Sequence, residues 1–155
     1  MSAIVVSVFM LTYNQEHCIK QTIESILKQQ TNFPFQLVIG EDCSTDATRI
    51  ICEQYVRDFG DQIKLLPSPK KNCGLIANYM RTIAACDGKY IAICDGDDYW
   101  IDELKLQKQV DFLELNPNYS IHSGKAEIIK DGVTTREIHL NLEKLNALER
   151  WVQGQ

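Results

Sequence analysis

Long apolar runs and blocks of positive charge are both missing from this 155-residue chain. Its longest apolar stretch, Ala3–Leu11, is broken only by Ser7 and reaches about half the ~20 residues that a membrane-spanning helix needs. No Lys or Arg precedes that stretch, the first being Lys20, so the charged start of a secretory signal is lacking and the chain is read as cytosolic. Sixteen Lys and Arg stand against 21 Asp and Glu, a formal charge of −5. With no basic block to meet a phosphate backbone, a dedicated nucleic-acid binder is excluded. Six cysteines (Cys18, Cys43, Cys52, Cys73, Cys86, Cys94) include no C-x-x-C pair, which removes zinc ribbons and thioredoxin-like motifs. Hydrophobic residues make up 45% of the chain, enough for a core without disulfides, and the cysteines are expected mostly as buried reduced thiols. There is no internal repeat, low-complexity tract or linker, and the length suits a single domain.

What is present is an alternation of strand and helix patterns. Ala3–Met10 is an apolar, β-branched run of the kind buried on both faces of a sheet. His17–Gln30 sets Ile19, Ile23, Ile26 and Leu27 on one helical face, and Phe35–Gly40 reads as a second strand. Ala47–Phe59 forms a second amphipathic helix, closed by Gly60, followed by a strand at Ile63–Leu66 that Pro67-Ser68-Pro69 stops. Leu75–Ala85 is a third helix, Tyr90–Cys94 a fourth strand and Glu103–Leu115 a fourth helix. The pattern then weakens: Tyr119–Ile129 reads as a strand, Asp131-Gly132 as a tight turn, and Asn141–Val152 as a last helix capped by Asn141. Repeated β-α units imply an α/β fold, three layers deep, with a mainly parallel sheet and right-handed crossovers. Ligands of such sheets bind beyond the carboxyl ends of the strands.

Those ends are polar. They read Thr12-Tyr13-Asn14, Glu41-Asp42-Cys43-Ser44-Thr45-Asp46, Lys70-Lys71-Asn72-Cys73-Gly74 and Asp95-Gly96-Asp97-Asp98. Singly, each has a plain structural reading: Asn14 caps the first helix, Ser44 or Thr45 caps the second, and Asp95-Gly96 makes a turn with Asp98 starting the next helix. Together they ask for more, because three carboxylates within four residues (Asp95, Asp97, Asp98) repel one another unless a cation lies between them. Mg2+ and Mn2+ take oxygen ligands, commonly one or two carboxylates plus a substrate's phosphates. Neither G-x-x-x-x-G-K-[ST] nor G-x-G-x-x-G occurs, so a metal-bridged nucleoside diphosphate fits better than a P-loop or dinucleotide site.

With these four segments in order, the sequence resembles family 2 glycosyltransferases of the GT-A type. Ile4–Val8 with Thr12-Tyr13-Asn14 is similar to the family's opening strand and nucleotide loop. Glu41–Asp46 is similar to its D-D-x-S-x-D segment, with Glu in place of the first Asp. Asn72-Cys73-Gly74 resembles its N-x-G step, and Asp95–Trp100 its D-x-D motif with following aromatics. The resemblance covers Ala3 to Val133. It implies that Thr12, Tyr13 and Asn14 line the base and ribose pocket, that Asp42 bonds base or ribose, and that Asp95 approaches ribose and diphosphate. It further implies that Asp97 binds the metal, Mg2+ or Mn2+, and that Asp98 ligates through water or orients the sugar. The implied reaction is metal-dependent, inverting transfer of a sugar from a nucleotide-sugar donor, a UDP-sugar by family frequency. The acceptor is a hydroxyl of a glycan or lipid-linked molecule in polysaccharide assembly, and the enzyme is cytoplasmic or peripheral at the inner membrane face.

The later part of the chain departs from the family. The general base expected on a later segment has no clear counterpart; Glu137, Glu143 and Glu149 lie in a Glu- and Lys-rich stretch that reads as a solvated face. The expectation is therefore a single donor-binding domain, Met1 to Gln155, truncated on its acceptor side, and the alternative function is nucleotide-sugar binding without catalysis. An Asp-nucleophile phosphohydrolase at Asp95-x-Asp97 is the competing enzyme class, but the motif order fits it poorly. His122 is read as a surface or core histidine, and His17 and His139 have no role. Tyr99 and Trp100 either flank the sugar or anchor the next helix. Lys70 and Lys71 read as exposed. Trp151 beside Val152 is read as an apolar self-association site.

Overall fold

The structure, a computed structural model, describes residues 3–130 and 133–138. Its elements run β1 (Val6–Thr12), α1 (Ile19–Leu27), β2 (Phe35–Glu41), α2 (Thr48–Phe59), β3 (Ile63–Leu65), α3 (Leu75–Ile83), β4 (Tyr90–Ile93), α4 (Lys105–Leu115), β5 (Ala126–Lys130) and β6 (Val133–Ile138). The chain divides into two compact units, Met1–Val110 and Asp111–Gln155.

In the first unit four parallel strands lie in the order β3-β2-β1-β4. β1 is buried along its whole length, which is why its sequence is continuously apolar rather than alternating. Its side chains still divide by parity. Val6, Val8 and Met10 join Ile19, Ile23 and Ile26 of α1, Leu37 and Ile39 of β2, Cys52 of α2, and Leu106 and Val110 of α4 in one core. Phe9 points the other way, its ring centroid 4.9 Å from that of Tyr79 on α3. Helices therefore cover both faces and the three layers are real. Each fully buried isoleucine of α1 contributes about 1.5–3 kcal/mol of burial relative to exposure.

The strand–helix alternation agrees with the sequence reading, and the differences lie at its edges. β1 runs three residues later than Ala3 at its start and on to Thr12, and α3 ends at Ile83. Helix α4 begins at Lys105, so Asp98 does not start it; Asp98 N–H instead donates to the Asp95 carbonyl at 3.0 Å, closing a turn. Of the six cysteines, all free, Cys52 and Cys94 are buried, Cys18, Cys43 and Cys86 are half-buried and Cys73 is exposed, fewer buried than expected.

The second unit contains the antiparallel β5–β6 pair. The strand expected over Tyr119–Ile129 is confined to β5 because Tyr119 and Ile121 sit exposed in a loop before it. His122 lies in that loop with its ring 4.7 Å from that of Phe112, which also meets Tyr119 at 5.6 Å. The Asp131-Gly132 turn, His139, and the Asn141–Val152 helix with Glu143, Glu149, Trp151 and Val152 lie outside the described residues.

Candidate functional site

Register brings the strand ends together. Thr12 at the end of β1 is level with Glu41 at the end of β2, and Phe9 is level with Ile93 of β4. The chain then continues past each strand in contact: Asp42 N–H donates to the Thr12 carbonyl at 3.1 Å, and Gly96 N–H to the Leu11 carbonyl at 2.9 Å. Gly96 has no room for a side chain, since a Cβ there would lie 2.3 Å from Gln15 Oε1 and 2.9 Å from Leu11 O. Glycine is what allows the Asp95–Asp98 turn to lie against β1. Because β2 and β4 flank β1 on opposite sides, this is the topological switch point of the sheet. An open cleft of about 400 Å³ lies there, lined by Thr12, Tyr13, Gln15, Asp42, Asn78, Asp95 and Asp97 among others.

Asp42 forms one wall. Its Oδ1 accepts from Cys73 N–H at 2.8 Å and from the Cys73 thiol at 2.9 Å, and its Oδ2 accepts from Gly74 N–H at 2.9 Å. The Asn72 amide donates to the Asp42 carbonyl at 3.3 Å. Gly74 has φ +83°, a left-handed conformation that glycine supplies cheaply, and it turns the chain directly into α3. The Asp42 carboxylate holds the Cys73 thiol above its ordinary pKa, with burial adding. The carboxylate expected to meet a base or ribose is thus first of all the anchor of the Asn72–Gly74 loop. Oδ1 already accepts two bonds, and Oδ2, which accepts one, keeps a further acceptor site.

Asn14 and its neighbours have a different task. Asn14 and Cys43 both adopt positive φ, 53° and 59°, directly after β1 and β2. The two loops are stitched together by hydrogen bonds. Ser44 Oγ accepts from Asn14 N–H at 3.0 Å, Thr48 Oγ1 from Gln15 N–H at 2.8 Å and Asp46 Oδ2 from Glu16 N–H at 3.1 Å. In return Asn14 Oδ1 accepts from Thr45 N–H at 2.8 Å and Glu16 Oε2 from Ala47 N–H at 2.7 Å. Neither Asn14 nor Ser44 nor Thr45 caps a helix as expected. The bond at the start of α2 comes from Asp46, whose Oδ1 accepts from Thr48 N–H at 2.9 Å. Burial pushes the Asp46 carboxyl up, but the bonds from Thr48 and Glu16 outweigh it and leave it below the usual carboxylate range. Glu41, fully buried, belongs to the same support: its carboxylate accepts from Ser44 N–H and lies 3.7 Å from Arg49, and its carbonyl accepts from Arg81.

The acidic end of the cleft is different again. Solvent reaches Asp95, Asp97 and Asp98. Partial loss of hydration, then the charges of Asp98 and Asp97, hold the Asp95 carboxyl above its ordinary range, and burial followed by Asp97 does the same to Asp98. Among the described residues no three acidic, histidine or cysteine side chains converge into a ready-made metal cage. A mutually repelling carboxylate trio at a cleft mouth still fits a cation held by one or two carboxylates and completed by a substrate's phosphates. Two buried polar atoms beside it, Thr12 Oγ1 and Gln15 Oε1, have no hydrogen-bond partner among the described residues.

Of the residues singled out from sequence, Thr12, Tyr13, Asp42, Asp95 and Asp97 share this cleft, whereas Asn14 and Asp98 do not line it. Gln15, Leu75 and Asn78 line it unforeseen. Trp100 is an anchor: its backbone N–H donates to Ser25 Oγ at 3.0 Å, its side chain packs against the core, and Lys105 Nζ lies 4.3 Å from its ring centroid. Tyr99, Lys70 and Lys71 are exposed.

A parallel α/β/α sheet with a polar, acid-flanked cleft at its switch point is the architecture of nucleotide-sugar transferases of the GT-A type. The model of glycosyl transferase family 2 matches residues 7–152, and the chain belongs to that family. It is 35% identical over 132 residues to an uncharacterised protein of Mycobacterium tuberculosis, covering 84% of this chain and 38% of that one. It is 36% identical over 127 residues to the UDP-Glc:alpha-D-GlcNAc-diphosphoundecaprenol beta-1,3-glucosyltransferase of Escherichia coli, covering 81% and 47%. The chain therefore spans less than half the length of these relatives. Among solved structures, S. aureus TarS in complex with UDP-GlcNAc superposes with a TM-score of 0.64 at 28% identity, covering 74% of this chain and 32% of that one. A mannosyltransferase of Pyrobaculum calidifontis, in complex with GDP-Man and Mn2+, shares the fold with a TM-score of 0.63 at 21% identity, covering 73% and 33%.

Proposed function

We propose that the chain is the donor-binding part of an inverting glycosyltransferase that moves a sugar from a nucleoside-diphosphate donor, a UDP-sugar first, to a hydroxyl of a glycan or lipid-linked acceptor. The observation that carries this reading is the convergence of Thr12, Tyr13, Asp42, Asp95 and Asp97 on one cleft at the switch point. Tyr13 offers its ring to a base, and the idle hydroxyl of Thr12 and the remaining acceptor site on Asp42 Oδ2 meet base and ribose polar atoms. Asp95 faces the ribose and diphosphate, Asp97 holds Mg2+ or Mn2+, and Asp98, outside the cleft wall, acts through water or on the sugar. Asn14 contributes by keeping the loops in place rather than by contact. When bound, a divalent cation neutralises charge that develops on the departing diphosphate. Inversion follows from in-line attack of the acceptor hydroxyl on the face opposite that diphosphate, with a general base taking its proton. We assign no residue of the chain as that base.

A second reading is donor binding without turnover, which fits a cleft to whose described lining we assign no general base. Isothermal calorimetry with UDP, GDP and dTDP in Mn2+ tests what the two readings share. UDP binding that needs the metal and weakens at least about tenfold in Asp97→Ala is expected, equal to about 1.4 kcal/mol. Metal-independent binding, or binding that Asp97→Ala leaves intact, removes both. Release of UDP from a UDP-sugar by the chain alone separates turnover from binding.

A further inference from the structure

A threonine on the buried face of a helix needs a partner for its hydroxyl, and it ordinarily bonds back to the carbonyl one turn earlier. Thr22 of α1 is 1% exposed, among Ile19, Ile23 and Ile26. Its Oγ1 nonetheless lies 3.5 Å from the Cys18 carbonyl and only 2.9 Å from the carbonyl of Gly96, 74 residues away. A hydroxyl has one proton to give, and the shorter contact takes it. The other polar group of the Gly96 backbone, its N–H, donates to the Leu11 carbonyl at 2.9 Å. The middle residue of Asp95-Gly96-Asp97 is thus tied to β1 through its N–H and to α1 through its carbonyl.

Thr22 is the first of a row of such ties. Ser25 Oγ, one turn further along α1, accepts from the Trp100 backbone N–H at 3.0 Å. Gln29, just past the end of α1, donates from Nε2 to the Asp102 carbonyl at 2.7 Å and accepts on Oε1 from Leu106 N–H at 3.0 Å. Between the tied residues Gly96 and Trp100 the chain arches through Asp97, Asp98 and Tyr99, all exposed. The carboxylates of Asp95, Asp97 and Asp98 repel one another, a force that opens the arch unless its ends are held.

We propose that Thr22 is a positioning residue of the candidate cation site: its bond to the Gly96 carbonyl keeps the acidic turn closed against the repulsion of its own carboxylates, so that Asp97 is in place before a divalent cation binds. Thr22 does not line the cleft, and it acts only through Asp97, the cation's ligand on the reading proposed above. A turn already ordered spares the binding of cation and diphosphate the cost of ordering it.

Calorimetry of UDP in Mn2+ tests the role of Thr22. Thr22→Val keeps the shape of the side chain and removes the hydroxyl, whereas Thr22→Ser keeps the hydroxyl. The expected result for Thr22→Val is a dissociation constant higher by about fivefold, the worth of one ordinary hydrogen bond, at unchanged stoichiometry. Thr22→Ser should stay near the native constant. In the Asp97→Ala background Thr22→Val should add nothing, because the two residues act as a unit. Ser25→Ala, at the other end of the arch, should raise the constant in the same direction and replaces Thr22→Val should that variant not fold. A native constant in the variant used, a loss that persists in full in Asp97→Ala, or a lower stoichiometry at the native constant overturns the role of Thr22. UDP binding to the native chain that ignores Mn2+ removes the donor reading and the role of Thr22 with it, so the native chain alone tells the two failures apart.

Discussion

The two faces of the central sheet are made of similar residues and have different fates. On the side of Val6, Val8 and Met10, the helices bury the central strand side chains and leave Leu65, Tyr90 and Ala92 half-buried, and Ile19, Ile23 and Ile26 of α1 are fully buried. On the side of Phe9, α3 covers β1 and β2 with hydrogen-bonded polar groups and leaves Ile91 and Ile93 of β4 open. An isoleucine is therefore sealed on one side and open on the other. Composition cannot separate the two; only the cover above each side chain does.

The largest test of that contrast is a pair of truncations. Ile23→Ala on the sealed side should cost about 3 kcal/mol of unfolding free energy, whereas Ile93→Ala on the open side should stay within about 0.5 kcal/mol, both read from urea midpoints. Equal losses would mean that the open face is covered after all. Thiol chemistry gives a second measure. Burial pushes the Cys52 and Cys94 thiols, both in the sealed core, up to about 12, so neither forms thiolate at neutral pH. Cys73 is exposed beside α3, and although Asp42 slows it, alkylation followed by mass spectrometry should label Cys73 in the folded chain and reach Cys52 and Cys94 only on unfolding. The smallest effect concerns the rim where the two loops are stitched. Because the folded Asp46 carboxyl lies below its ordinary value, its contribution is complete above about pH 4, the unfolded Asp value, and is lost as pH falls through the folded one. The melting-temperature advantage of the native chain over Asp46→Asn should thus be constant from pH 7 to about 5 and shrink toward pH 3.

The legible part of the molecule was the part with local periodicity. The apolar runs of β1 and β2 and the isoleucine spacing of α1 imposed strand and helix whatever the tertiary context, and parallel topology then placed Asp42 and Asp95 at one edge. Asn14 could not be read in this way, because its partner Thr45 is 31 residues away and no spacing rule couples them. Gln15 and Asn78 enter the cleft for the same reason: their positions follow from how α3 and the first loop pack, not from their neighbours in sequence. Ile121 and Tyr119 looked like strand residues, yet among the described residues no strand pairs with them ahead of β5, so β-propensity went unused.

The stitch between the first two loops has a consequence for how such a site diversifies. Most of its bonds join a side chain on one side to a backbone N–H on the other; the exception is Thr45 Oγ1, which donates to Asn14 Oδ1 at 3.3 Å. The residue that supplies only its N–H is therefore at liberty to change its side chain. Along the first loop the roles alternate: Tyr13 and Gln15 aim at the cleft, while Asn14 and Glu16 hold the neighbouring loop. Reader and fastener occupy adjacent positions without sharing atoms. The lining of the cleft can change at Tyr13 and Gln15 while the frame that presents them stays as it is.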